Sequence, residues 1–595
     1  MKQKIAFLTC LTIILFGCHA PEREIPGSLT GNYYDKSGED HWAFSFQKSF
    51  VMHDSKFWDV KKVSQKKKST KVIIGYENAK KRLLITPMGN EGFKIEWDNN
   101  SKIYSTIPNP DRRKPKNSPL SLHPGKTTIY GFIKNSEKYT ESNPGIHFLY
   151  YDYITFQTNS VYAPIDSIGR FQLEMELLSS QDIMYRYNNK IYPVFVSPDD
   201  TLMIYFDPGH PEEVEFQGKY SDVNYDMLHT RKRLYEFISQ KEDRKQLSKH
   251  FNDYKVFKDS ARDEEIRFLH EYAQNEYCSE CFKTWFRTNT EVRFYTDLLN
   301  YNWKNNYSND IESSMAAFNA YVDTFFEKFY MSDSVAPITH RYFFFTNTVY
   351  NKLSCDKKSL YNSINSELTD KERNQKYREI YITKMSEIIN EKEAGRLKDI
   401  LFASLVSRAI KNRQIDYIDK TFDAVDELIE YQPYVTHLSN YVAEFKRKEA
   451  EFENNPILLR KSGGSGELLL QKIIEDNADK VVILDFWFTG CGACRRDFKA
   501  MGPFKKDLAL EADVEFVYLC YSSTENNWKY VSKEYNLQGQ NYLLTKEQFM
   551  YFQKLFSISG APHYILINKA GRVVNSDFSP PKDKRQFIMA MKNTI

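Results

Sequence analysis

The chain has 595 residues, of which 41% are hydrophobic and 27% charged, with a net charge of +3. So small a charge excludes a strongly basic nucleic-acid binder and an acidic disordered tail as descriptions of the whole chain. Eight cysteines in this length exclude a small disulfide-stapled scaffold, and at roughly 150 residues per domain the length predicts about four domains.

Lys2 and Lys4 precede an apolar run from Ile5 to Phe16. The run is shorter than the roughly 20 residues of a transmembrane helix and has the make-up of a signal-peptide core. Leu15-Phe16-Gly17-Cys18 resembles a bacterial lipobox. The resemblance implies removal of residues 1–17 and acylation of Cys18, with acyl chains anchoring the protein at about 0.8 kcal/mol per buried CH₂. Ordinary secretory cleavage without a lipid is the alternative. Cys10 would leave with the signal. The rest of the chain is expected outside the cytoplasm, where disulfides persist.

Residues 18–30 carry Pro21, Pro26 and several charges and read as a tether. From Gly31 the pattern alternates: Trp42, Phe44 and Phe46 on one face, Ala43, Ser45 and Gln47 on the other, which is the period of a half-buried strand. Residues 31–107 are expected to form a small all-β domain, with Lys66-Lys67-Lys68 as a solvated hairpin tip or, less simply, an anion patch. Five prolines between Pro108 and Pro124 favour an extended linker. Strand-like runs then return over 125–210, a region that resembles a small β-sandwich. Asp166-Ser-Ile-Gly169 is the turn into one of its strands.

Over 220–458 the apolar period becomes helical, as at Leu234, Phe237 and Ile238 or at Ala403, Val406 and Ile410. This predicts an α-helical domain. Within it Cys278-Ser-Glu-Cys281 is a second CxxC with no preceding strand. It is open to four readings: a structural or incidental thiol pair, a further redox pair, an internal partner of Cys491, or half of a metal site. Cys355 and Cys520 look single, the latter a core thiol at a strand end.

Residues 465–595 alternate strand and helix. Lys480–Trp487 is a buried strand, Cys491-Gly-Ala-Cys494 follows it and opens a helix, and Ala561-Pro562 precedes a strand from His563 to Ile567. A thiolate, not a thiol, attacks a disulfide, and a helix N-terminus lowers a cysteine pKa from about 8.5 to about 3.5–7.5. Cys491 is therefore the expected nucleophile, and Cys494, one turn on, the resolving thiol. Zinc is the competing reading of a CxxC, but it needs two more ligands, and the segment offers only His563 and Cys520.

This set of motifs resembles the thioredoxin-like fold, and within it the TlpA and ResA branch of envelope disulfide reductases. The resemblance covers the last 130 or so residues only. It implies a redox-active Cys491–Cys494 disulfide, a buried acid at Asp485 that helps deprotonate the resolving thiol, a cis-proline at Pro562 facing the pair, and Trp487 packed beneath it. As alternatives, Asp485 could be a buried strand carboxylate without a proton role, and Trp487 plain core. Gly490 and Ala493 depart from the family, which places Trp and Pro there. Potentials in this fold span about −270 to −120 mV, so the direction of electron flow does not transfer.

The expected function is that of an envelope-anchored thiol–disulfide oxidoreductase, facing the periplasm from the outer membrane and reducing protein disulfides. A membrane electron donor would recharge it. No cofactor, metal or nucleic acid is expected. The alternative is a binding or assembly lipoprotein whose upstream domains do the work and whose CxxC domain is accessory.

Overall fold

A computed structural model describes residues 24–36, 42–108, 118–136, 145–187, 190–210, 214–239, 250–275, 278–301, 311–328, 336–353, 357–364, 368–392, 395–412, 414–453, 459–461, 463–511, 513–579, 587 and 589. Cys18, Cys355 and the signal segment lie outside these residues. The chain divides into two compact units. One runs to Ser404 and takes in Leu428–Tyr434; the other comprises Leu405–Glu427 and Val435 onward.

The first unit begins with eight antiparallel strands: β1 (Gly31–Asp35), β2 (Trp42–Phe46), β3 (Phe50–His53), β4 (Lys56–Lys66), β5 (Ser69–Tyr76), β6 (Ala79–Pro87), β7 (Phe93–Trp97) and β8 (Asn100–Ser105). They close into a barrel, β8 pairing back onto β1. Tyr33, Phe44, Phe46, Val72, Ile85 and Ile95 fill it. Lys67 and Lys68 form the tip between β4 and β5.

One detail of the alternation is corrected. Tyr33 pairs with Phe44 but Tyr34 pairs with Trp42, which leaves Ala43 as a bulge. An extra residue turns what precedes it to the other face. Trp42 therefore joins Tyr34, Phe50, Phe132, Met203 and Tyr205 in a separate aromatic cluster, and both faces of β2 are buried.

Two four-stranded sheets follow, in the orders β11-β10-β13-β14 and β12-β9-β15-β16. They are built from β9 (Gly125–Ile133), β10 (Gly145–Asp152), β11 (Gln157–Pro164), β12 (Arg170–Leu177), β13 (Gln181–Tyr187), β14 (Lys190–Val196), β15 (Thr201–Phe206) and β16 (Val214–Gln217). β12 alternates strictly, with Phe171, Leu173, Met175 and Leu177 inward. Gly169 turns into it at φ 94°, and a Cβ there would meet the Ile133 carbonyl oxygen at 2.4 Å, so only glycine fits. Before β9, the end of the proline-rich stretch is tied down: Ser121 N–H donates to Ser180 Oγ at 2.9 Å and Ser180 N–H to the Ser121 carbonyl at 2.7 Å.

Ten helices come next among the described residues: α1 (Ser221–Ser239), α2 (Phe251–Asn275), α3 (Glu280–Leu299), α4 (Ile311–Lys328), α5 (Arg341–Leu353), α6 (Lys357–Asn362), α7 (Asp370–Lys392), α8 (Gly395–Lys411), α9 (Ile415–Val425) and α10 (Gln432–Glu453). Ala403, Val406 and Ile410 are all buried, as their spacing predicts. Among the described residues no helix is long and apolar enough to cross a membrane.

The second unit holds a six-stranded sheet in the order β17-β20-β19-β18-β21-β22. Its strands are β17 (Leu459–Lys461), β18 (Val481–Trp487), β19 (Val514–Cys520), β20 (Gln540–Leu543), β21 (His563–Ile567) and β22 (Val573–Phe578). β18, β19, β20 and β17 run parallel; β21 and β22 run antiparallel to their neighbours. The sheet thus takes in residues ahead of the expected start at 465. Helices α11 (Gly466–Asp476), α12 (Gly492–Glu511), α13 (Glu525–Glu534) and α14 (Lys546–Phe556) connect the strands. β18 is buried along its whole length, as a central strand covered on both faces must be.

Candidate active site

The site grows out of the C-terminal end of β18. Its odd-numbered residues, Ile483 and Trp487, enter one apolar cluster, and its even-numbered ones, Val482, Leu484 and Phe486, enter another. The first cluster contains Cys491 and Cys494. Asp485 shares that parity, so the strand aims it at the layer that holds the cysteines.

After Trp487 the chain turns through Phe488–Gly490 into α12. Cys491 N–H donates to the Phe488 carbonyl at 2.9 Å. The Arg495 guanidinium reaches back to the Thr489 carbonyl at 2.8 and 3.2 Å, and Thr489 N–H donates to Ser523 Oγ at 3.0 Å. The loop is therefore fixed from the helix behind it and from the segment after β19. A Cβ at Gly490 would meet only the Phe488 ring, at 3.4 Å. The departure from tryptophan there leaves open space rather than answering a backbone demand.

Cys491 and Cys494 form a disulfide, with Cα atoms 5.3 Å apart. Cys491 is 4% exposed and Cys494 0%, so what opening to solvent the pair has lies at its first residue. Cys494 N–H lies 3.1 Å from Cys491 Sγ. An amide at a helix start is thus aimed at the sulfur expected to act as nucleophile, an arrangement that favours its thiolate.

The Ala561–Pro562 peptide bond is cis. β21 pairs with β18 with His563 opposite Phe486, and continuing that register brings Pro562 level with Trp487, where the cysteine loop departs. Ala561 packs against the cluster that holds both cysteines.

Asp485 is fully buried, and neither carboxyl oxygen has a hydrogen-bond partner. Burial holds it well above the usual carboxylate range, with the Asp497 charge adding to the rise and the Lys505 charge opposing it. Lys505 is held below the usual lysine range by the same burial. Its Nζ donates to Tyr518 Oη at 2.7 Å and lies 4.5 Å from the centre of the Phe516 ring. Tyr564 Oη donates to Asp497 Oδ2 at 2.9 Å. No sequence motif points to Asp497, Arg495 or Ser523 as site residues. Lys505 does carry a signal: Cys494, Phe498, Met501 and Lys505 fall at i, i+4, i+7 and i+11, one helix face on which a lysine is out of place.

Trp487 is fully buried and meets Phe498 edge-on at 5.3 Å. Cys520 is also buried, and burial pushes its thiol up to about 12, as a core thiol requires. Cys278 and Cys281 lie in the other unit, both buried, just before and within the first turn of α3. Among the described residues no group of three or more His, Cys, Asp or Glu side chains is placed to hold a metal ion.

A family model described as thioredoxin-like matches residues 479–573. No curated protein matches the chain. Among solved structures, the thioredoxin domain of a thiol-disulfide oxidoreductase from Bacteroides vulgatus is 25% identical, over 20% of this chain and 84% of that one, with a TM-score of 0.18. A thioredoxin family thiol:disulfide interchange protein from Chlorobium tepidum TLS is 23% identical, over 20% and 83%, with a TM-score of 0.19. The C-terminal region is a thioredoxin-like domain carrying a disulfide-bonded cysteine pair at CxxC spacing.

Proposed function

We propose that the protein is a thiol–disulfide oxidoreductase of the TlpA and ResA type that reduces protein disulfides outside the cytoplasm. The observation that carries this reading is the Cys494 amide 3.1 Å from Cys491 Sγ, at a pair of which only Cys491 keeps any solvent exposure. The Cys491 thiolate attacks one sulfur of a substrate disulfide, forming a mixed disulfide and releasing the other substrate sulfur as a thiolate. Asp485 takes the proton of Cys494. The Cys494 thiolate then attacks Cys491 Sγ, closes the internal disulfide and releases the second substrate thiol. Two electrons pass from the pair to the substrate, and a membrane electron donor restores the dithiol. Pro562 shapes the surface beside the pair. Acylation of Cys18 holds the protein to the outer membrane, facing the periplasm.

Dithiothreitol-driven insulin reduction tests the chemistry. The expected result is a rate that disappears in Cys491→Ser; an unchanged rate in that variant refutes it. Equilibration with glutathione tests direction, because a potential near about −120 mV, that of a strong oxidant of this fold, would reverse the assignment. Incorporation of labelled palmitate, lost in Cys18→Ala, tests the anchor.

A further inference from the structure

The first compact unit contains a cavity of about 740 Å³ between β13, β14 and helices α1, α3 and α5. That lies within the range of about 300–1,000 Å³ typical of small-molecule sites. Its wall is mainly apolar, formed by Met184, Pro193, Met227, Leu234 and Trp285, with half-exposed Ile191 at the lip.

The charged lining is one-sided. Lys190, Arg231, Lys232 and Arg341 all face it, and among the described residues none of the four makes an ion pair. Arg231 lies 5.5 Å from the centre of the Tyr192 ring. Arg341 Nε is buried without a hydrogen-bond partner, a cost that proteins rarely leave uncompensated. The one carboxylate in the lining, Asp182, is already engaged: it accepts the His340 backbone N–H at 2.6 Å and lies 2.5 Å from His340 Nδ1. Asn289 Oδ1 accepts from Thr339 Oγ1 at 3.0 Å, which leaves the Asn289 amide nitrogen as a donor.

We propose that this cavity binds an amphipathic organic anion, its apolar body against Trp285, Met184 and Met227 and its acidic group held by Arg341, Arg231 and Asn289. An apolar chamber alone would take a neutral ligand equally well. Four cations in no ion pair among the described residues, one of them, Arg341, keeping a buried free donor although the Asp297 and Asp182 charges lie near it, select the anion. The guanidinium fork of arginine matches a planar carboxylate. Lys190 and Lys232 are exposed and raise the local concentration of anions.

Calorimetric titration of the full chain with dodecanoate and with dodecanol tests the assignment. The expected result is one saturable site that holds dodecanoate at least tenfold tighter than dodecanol. Arg231→Gln with Arg341→Gln should remove that preference. Lys190→Gln with Lys232→Gln, both on the surface and without effect on folding, should weaken dodecanoate two- to fivefold and leave dodecanol unchanged. No saturable binding, equal affinity for the two probes, or wild-type affinity in the surface lysine variant would each overturn the proposal.

Discussion

Both CxxC segments open a helix, yet their surroundings make them opposites. In the second unit the Cys494 amide is directed at Cys491 Sγ, and the pair is a disulfide. In the first unit the start of α3 is answered by a carboxylate: Asp226 Oδ2 accepts both Ser279 N–H and Ser279 Oγ at 3.0 Å, while Oδ1 accepts from Tyr272 Oη at 3.0 Å. Burial pushes Cys281 up to about 12, and the Asp226 charge adds to the rise. In this chain a helix-start amide reaches the sulfur at one CxxC, while at the other burial and a neighbouring acid hold the thiol protonated. The motif states the spacing of two thiols; the next layer of residues decides whether either can ionise.

The sharpest way to break this comparison is alkylation of the reduced, folded protein by iodoacetamide at pH 8. A thiol held near pKa 12 is ionised about one part in ten thousand, whereas one in the activated range is largely ionised. The more basic thiolate is also the stronger nucleophile, which offsets part of this difference; Cys491 should still react at least about tenfold faster than Cys281, and comparable rates would erase the distinction.

The buried carboxylates sharpen it further. Burial raises Asp485 from 3.8, so the folded state holds the proton more tightly than the unfolded one. Stability is lost as pH rises from the unfolded value through the raised one. Asp485→Asn in the oxidised protein should therefore gain stability relative to wild type between pH 4 and pH 8, by up to about 1.4 kcal/mol for each pH unit between those two values. The depressed Lys505 acts with the same sign, since removing the neighbouring negative charge favours its neutral form. Chemical denaturation at pH 4 and pH 8 measures the difference, and a pH-independent change would show that Asp485 is charged in the fold.

Asp226→Asn should cost about 1–3 kcal/mol, because buried donors lose a charged acceptor, and should accelerate Cys281 alkylation modestly; denaturant midpoints and mass spectrometry report the two. The smallest effect is expected from Arg495→Gln. Losing the tie to the Thr489 carbonyl should cost about 1 kcal/mol and slow insulin reduction severalfold, while Cys491 stays essential.

Much of the C-terminal site is legible in the sequence because its parts are local: a buried strand, a CxxC and a helix are consecutive, and Ala561-Pro562 directly precedes its strand. The rest depends on contacts that sequence order conceals. Period-two alternation places Trp42 with Phe44, and the bulge at Ala43 that separates them leaves no compositional trace. The thiol pair in α3 reads as an isolated CxxC until Asp226, from another helix, is found beneath it. Lys505 is visible as an oddity on an apolar face, but the partner that explains it, Tyr518, comes from β19. The cavity cannot be read at all, since its cations come from β14, α1 and α5 and converge only on folding.

The barrel carries a consequence of its own. Its strands form a ring, and a ring has no edge at which another strand can add. The seam that closes it is short: β1 meets β8 through Tyr34 with Ser105 and Asp35 with Tyr104, supported by Lys102 Nζ 3.0 Å from Asp35 Oδ2. β4 and β5, by contrast, pair from Asp59 with Gly75 to Lys66 with Ser69. Among the described residues this seam and the pairing of β2 with β3 are the shortest of the ring, two residue pairs each. If the seam parts, a sealed ring becomes an open sheet with two adhesive borders. The Lys102–Asp35 ion pair sits at the pairing that keeps those borders covered.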